Sequence, residues 1–251
     1  MKRIILILTL LIPLAAAAQI GDHRNELAVG VNGGYTMSTV GFNPNIPQTQ
    51  LGGVTGGFTM RYTCEKYFKS ICAIVAEVNL TQMGWKENIN DVNDQPVING
   101  KTGLAEEYQR QLTYVQVPLM ARLGWGRERN GFQFFFQLGP QVGFFLNDKT
   151  TQNFEYSERN VTDRVGMQKY AYQNTMDVEK KFDYGISAGL GLEFSHAKVG
   201  HFLLEGRYYY GLGDIYKNSK ADMFGRSNNN SLMIKLTYLF DIIKTANTMI
   251  K

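Results

Sequence analysis

EYQRQLTYVQVPLMARLGWG at residues 107–126 and GFQFFFQLGPQVGFFL at 131–146, joined by RERN, read as one long hairpin. In the second arm Phe132, Phe134, Phe136, Leu138, Val142 and Phe144 share one parity, and Gln133, Gln137 and Gln141 share the other. Successive strand side chains point to opposite faces, so one face is apolar and the other is amide and glycine. In the first arm Val115, Val117 and Leu119 oppose Gln116 and Arg122. About a dozen residues at roughly 3.3 Å each extend about 40 Å, long for a soluble strand and suited to a tilted membrane strand that projects beyond the bilayer. The hairpin therefore reads as part of a transmembrane β-barrel.

Six further segments alternate with period two, near 26–38, 52–64, 71–86, 181–195, 201–213 and 229–240. The expected fold is all-β, an eight-stranded antiparallel up-and-down transmembrane barrel. The connections near 65–70, 126–130 and 196–200 are short; those near 39–51, 87–106, 147–180 and 214–228 are long and polar. This rhythm places the short turns on the periplasmic rim and the long loops outside the cell. High Gly, Tyr and Phe (26, 14 and 15 residues) against 6 Pro suits many strands and tight turns.

The amino end reads as a secretory signal. Lys2 and Arg3 precede an apolar run, Ile4 to Leu14, and Ala15 to Ala18 supply a small-residue cleavage site before Gln19. The expected organisation is a signal peptide at 1–18 and an outer-membrane barrel domain at 19–251, with strands over about 26–240 and a tail at 241–251. No later stretch approaches the roughly 20 apolar residues of a spanning helix. Cleavage lowers the formal charge from +4 to +2, leaving no basic excess for a nucleic-acid partner.

The polar parity carries matched charges: Arg61, Arg122, Arg207 and Lys235 with Glu77, Asp183, Glu193 and Glu205. An eight-stranded barrel is just wide enough for side chains to fill. These groups are expected to form a lumen charge network that plugs the barrel, because an isolated buried ion is very costly. Aromatics near strand ends (Tyr35, Tyr62, Trp85, Trp125, Phe144, Tyr184, Tyr210, Tyr238 and Phe240) read as interfacial girdles. Cys64 and Cys72 flank a short turn on the apolar parity; the pairing is open between a cross-hairpin disulfide, in an oxidising compartment, and two free thiols.

LTYVQVPLMARL at 112–123 resembles the Y-[IV]-x-[IV]-P-[LM]-L-x-[KR] strand of the PorT-like, porin-family outer-membrane β-barrel proteins, and an aromatic strand with Gly139-Pro140 follows it, as in that family. DYGISAGLGLEF at 183–194, RYYYGLGDIY at 207–216 and NNNSLMIKLTYLF at 228–240 are similar to its later strands. Met120 stands where the family usually has Leu, and the tail continues past Phe240. The resemblance implies an integral outer-membrane protein of a Gram-negative, Bacteroidetes-type bacterium. It implies outer-membrane lipid, lipopolysaccharide and the outer-membrane assembly machinery as surroundings. It implies no reaction.

Three functional classes follow. The first is a non-enzymatic barrel with a structural or surface-interaction role, associated with secretion or small-solute passage, whose unknown extracellular or secretion-system protein partner meets the loops through residues such as Tyr156, Arg159, Arg164, Tyr170 and Tyr172. The second is a soluble lipocalin-like barrel that turns the apolar parity inward around an apolar ligand; alternation alone does not choose between the two orientations, and the aromatic rims and loop rhythm favour the membrane. The third is an outer-membrane enzyme. His23, His196 and His201 lie before the first strand or at a periplasmic turn, away from the extracellular rim, so the reading is of no catalytic residues. No metal or cofactor spacing is present.

Overall fold

The computed structural model describes residues 22–170, 172–217 and 223–244; the signal-peptide reading at 1–18 and tail residues 245–251 fall outside the described residues. Eight long antiparallel strands follow in chain order: β1 (Asp22–Asn43), β2 (Leu51–Tyr67), β3 (Ser70–Glu87), β4 (Tyr108–Gly126), β5 (Asn130–Gln152), β6 (Phe182–His196), β7 (Gly200–Asp214) and β8 (Arg226–Ile243). Each pairs with its chain neighbour. The ring closes where β1 pairs with β8, from Leu27 opposite Ile243 to Asn43 opposite Arg226. Gln48–Thr49 adds two residues beside the end of β3. Closure leaves no unpaired strand edge, the condition for a sheet to cross hydrocarbon. No helix among the described residues is long and apolar enough to cross a membrane.

Exposure decides the orientation. Phe58, Phe132 and Leu236 are 70%, 68% and 66% exposed on the outer wall, whereas Lys235 inside is fully buried. A water-soluble lipocalin-like barrel requires the reverse, so that reading is corrected. Left in water, each large apolar side chain of the wall would forgo about 1.5–3 kcal/mol; lipid removes that cost.

The strands run further than their apolar alternation suggests. β1 continues to Asn43 and β5 to Gln152, all at the long-loop end. Along β4 the reason is visible. From Val115 to Trp125 the outward residues are Val115, Val117, Leu119, Ala121, Leu123 and Trp125, and the inward ones include Gln116 and Arg122. Above Val115 the outward residues become Thr113, Gln111 and Gln109, and the inward ones are Tyr114, Leu112 and Tyr108 with a single charge, Arg110. The parity is unbroken and its polarity is reversed. The same change separates Leu80 from Gln82 on β3, where Met83 and Trp85 turn inward above Glu77, Asn79 and Thr81. Leu80, Val115 and Phe144 pair across three strands in one row, which marks the upper edge of the lipid belt.

Above that row the inward aromatics and the loops build a separate core. Val40, Phe42, Met83, Trp85, Tyr108, Leu112 and Tyr114 from the strands pack with Ile46, Ile89, Val97, Phe154, Val178, Ile215, Tyr216 and Phe224 from the connections. Trp85 is fully buried here, 5.3 Å from Phe42 in an edge contact, so its assignment to a lipid girdle is corrected.

The prolines of the family-like hairpin sit at gaps in the ladders. Pro118 points inward, and the β3–β4 register passes from Ala76–Leu119 directly to Asn79–Gln116. The β4–β5 register passes from Pro118–Gln141 to Ala121–Leu138, leaving Gly139 and Pro140 unpaired on the β4 side, while both stay in register with β6. Proline has no N–H to give a ladder, so these gaps are where it fits.

The β1–β8 seam gives a test. A Cβ at Gly30 would lie 1.8 Å from the Tyr238 carbonyl oxygen, while a Cβ at Gly206 on the outer wall meets nothing within 4 Å. Gly30→Ala is expected to destabilise the barrel by on the order of 1–3 kcal/mol through overpacking, read as a lower urea midpoint in lipid vesicles. Gly206→Ala is expected to leave the midpoint in place; equal behaviour of the two would contradict the seam geometry.

Candidate functional site

Two regions concentrate the chemistry: the lumen at membrane height and the cap above it. Their side chains reach each other because inward positions of neighbouring strands are only about 5 Å apart across the ladder.

The lumen charges fall into three groups. Toward the short-turn end, Arg61 on β2 donates from Nη1 to both Glu193 oxygens at 2.8 Å, and Arg122 on β4 donates to Glu193 as well. Ser195 Oγ donates to Glu193 at 3.0 Å. His201 sits with Nδ1 2.7 Å from Glu193 and Nε2 3.0 Å from Asp241. Arg122 also lies 3.8 Å over the ring of Phe135, a cation–π contact inside the barrel. At the centre, Arg207 on β7 donates from Nη1 and Nη2 to the two oxygens of Glu77 at 2.8 Å each, and from Nε to Glu205 at 2.7 Å. Lys235 completes Glu77 from β8, and Gln137 donates to Glu205 at 2.6 Å. Asp183 stands apart from every cation of the set; Tyr209 OH donates to it at 3.0 Å and Asn229 Nδ2 at 3.3 Å.

Seven of the eight charges named from sequence therefore meet in two ion-pair clusters, and Asp183 serves a neutral hydrogen-bond group. His201 and Ser195 were missed as lumen members. The inward parity of His201 was the available signal, since it alternates with outward Phe202. Ser195, His201 and Asp241 lie within hydrogen-bonding distance in series, Ser195 Oγ at 2.8 Å from His201 Nδ1. Glu193 accepts from the same hydroxyl and the same ring nitrogen, so the serine proton is directed to a carboxylate held by two arginines rather than to a free base.

Cys64 and Cys72 are free thiols. A bulge makes Cys64 an extra residue between Thr63, opposite Ala73, and Glu65, opposite Cys72. The one-residue insertion takes Cys64 out of the cross-strand position that a hairpin bridge uses. Among the described residues no cluster of His, Cys, Asp and Glu suits a metal ion.

The cap is held by polar contacts as closely as by its aromatic core. Arg164, fully buried, donates to Glu106 Oε2 from Nε at 2.9 Å and Nη2 at 2.7 Å, and stands 4.7 Å over Phe154. Its reading as a surface contact residue is corrected, because the longest loop folds back and buries it. Tyr170 and Tyr156 of the same loop are 58% and 36% exposed. The short helix Tyr172–Thr175 enters the barrel mouth, where Gln173 Nε2 donates to Glu87 Oε1 at 2.9 Å and the Gln173 carbonyl accepts from Tyr216 OH at 2.9 Å. Arg110 donates to Asp148 at 2.7 Å and to Tyr216 OH at 3.3 Å.

Glu87 lies above the lipid belt, and its Oε2 has no hydrogen-bond partner among the described residues. Burial pushes its carboxyl up to about 7, against the opposing hydrogen bonds from Gln173 and Trp85 and the charge of Arg164.

Two predictions follow from this geometry. Glu77→Ala leaves Arg207 and Lys235 buried without their shared carboxylate and is expected to cost about 3–5 kcal/mol in vesicle unfolding; a change within experimental error would remove the central cluster from any structural role. For Glu87, a folded pKa above the unfolded value means that its stabilisation is complete below about 4.5 and is lost as pH rises through about 7. In a Trp125→Phe background, Trp85 fluorescence is expected to shift toward the solvent-exposed spectrum between pH 6 and 8, and Glu87→Gln to abolish the dependence.

The model of the family described as outer membrane protein beta-barrel domain matches residues 17–217, more than half of the chain. A search of curated proteins finds no match. Among solved structures, the chain is similar to the attachment invasion locus protein Ail of Yersinia pestis, at 13% identity over 86% of this chain and 99% of that one, TM-score 0.36. It is also similar to Neisserial surface protein A, at 9% identity over 85% and 97%, TM-score 0.38. A third similar structure is the outer membrane enzyme PagL, at 11% identity over 82% and 98%, TM-score 0.37.

Proposed function

This chain belongs to the outer membrane protein beta-barrel domain family, and we propose that within it the protein is a plugged, non-enzymatic barrel that acts through its extracellular cap. Its place is the outer membrane. The observation that carries the reading is the ion-paired interior: Glu193 and Glu77 each draw two cations from other strands, and the loop core closes over them. A passage for hydrated solutes would need those ion pairs to part. Parting them leaves buried, unpaired charge, which is the expensive state.

The cap supports a structural or surface-interaction role because it combines an ordered scaffold with exposed apolar groups. Ile98, Leu104 and Val161 are 48%, 62% and 43% exposed, and Asn160 Nδ2 ties the last segment to the Ile98 carbonyl. Binding residues are commonly held on loops fixed by a rigid frame. The absence of an enzyme is supported by where the histidines stand: His196 and His201 lie at the periplasmic end, and neither reaches the cap. Tyr114, Pro118 and Gly139-Pro140, in tandem strands, support a PorT-like assignment inside the family, with export through a signal peptide cleaved before Gln19, insertion by the outer-membrane assembly machinery and a secretion-system protein as a candidate partner.

Planar-bilayer recording tests the plug. The purified, heat-modifiable barrel is expected to show no sustained open-channel current at neutral pH. Stable conductance of the size seen for water-filled porins would overturn the plugged reading.

A further inference from the structure

The outer wall carries a polar groove that neither the lumen nor the cap uses. It has a volume of about 340 Å³ and lies across β2 to β5, lined by Gln50, Lys86, Gln109, Gln111, Lys149 and Thr151 among others. The register fixes how these side chains are set out. Lys86, Gln109 and Thr151 form one outward row across β3, β4 and β5; Gln111 and Lys149 form the next row toward the membrane. Two lysines thus flank a pair of carboxamides, with a hydroxyl at the upper edge. Lys86 has one carboxylate neighbour, Glu107 at 3.5 Å, which is itself 63% exposed. Lys149 has no acidic partner among the described residues.

The height of the groove sets the ligand. Gln111 stands four residues above Val115, the top of the lipid belt on β4. At roughly 3.3 Å per residue and a strand tilt of about 40°, that is about 10 Å above the hydrocarbon edge, and the Lys86–Gln109–Thr151 row, two residues further along the strands, is about 15 Å above it. Phospholipid headgroups occupy about 5–8 Å beyond that edge; the lower row reaches down to them through Lys149, and the upper row, with Lys86, stands at a height that a headgroup extended by sugars reaches. The wall here faces sideways, into the aqueous layer that the headgroups of neighbouring lipids share. Lysine binds phosphate as a point charge, while amides and hydroxyls bind sugar hydroxyls.

We propose that this groove binds the phosphorylated sugar headgroup of an outer-leaflet glycolipid, with Lys86 and Lys149 on the phosphates and Gln109 and Gln111 on the sugar. The site presupposes the membrane-embedded wall and is independent of what the cap does.

The test uses the full mature protein in detergent, with bound lipid counted by native mass spectrometry. The probes are lipid A, dephosphorylated lipid A and phosphatidylglycerol. The wild-type barrel is expected to retain lipid A in preference to both other lipids, and Lys86→Gln with Lys149→Gln to weaken retention roughly tenfold or more. Lys198→Gln, on the periplasmic turn, is expected to bind as wild type does. The heat shift is read on the same samples, so loss of binding with the shift intact assigns the effect to the groove, whereas a wild-type sample without the shift contradicts the membrane barrel itself. Equal retention of lipid A and its dephosphorylated form, equal retention of phosphatidylglycerol, or an unchanged double variant would overturn the proposal.

Discussion

One constraint organises this protein: the medium outside the wall changes from hydrocarbon to water partway along each long strand, while the strand itself continues. Side-chain direction keeps its period of two throughout. Outward positions are therefore mainly apolar below the Leu80–Val115–Phe144 row and mainly polar above it. Inward positions do the opposite, because a wall that faces lipid can enclose polar groups and a wall that faces water must enclose apolar ones. The lower barrel is inside-out relative to a soluble protein, and the upper barrel is the ordinary way round.

The lower interior then has to solve the problem of charge in a narrow space. Glu77 and Glu193 each meet two cations from different strands; the planar fork of Arg207 sets two parallel bonds on Glu77, and Arg61 reaches both Glu193 oxygens from one nitrogen. Such pairs contribute little net stability over well-packed apolar groups, yet removing one member is costly. Their effect is to fix which strands lie across from each other.

The upper interior solves a different problem. Inward aromatics such as Phe42, Trp85 and Tyr108 would face an open, water-filled mouth, so they need cover. The loops supply it with Phe154, Ile215 and Phe224, and they bring in Arg164, Gln173 and Glu106 to satisfy the polar groups buried in the process. Length in these loops is thus spent on a second core. What remains exposed, including Leu104 and Tyr170, stands on a fixed frame.

The amino-acid sequence by itself determined the strands, their antiparallel up-and-down order and the short and long rims, because period-two alternation and turn length are local properties. It also marked the charged set, since Arg61, Glu77, Arg122, Glu193, Glu205, Arg207 and Lys235 all fall on the inward parity. Only the tertiary structure decided which parity faces lipid, because alternation is symmetric between the two faces. It alone separated Asp183 from the cations, placed His201 beside Glu193, and turned Trp85 and Arg164 from surface groups into buried ones. Those outcomes depend on residues distant in the chain meeting across a closed ring, and no local pattern encodes the distance across the ring.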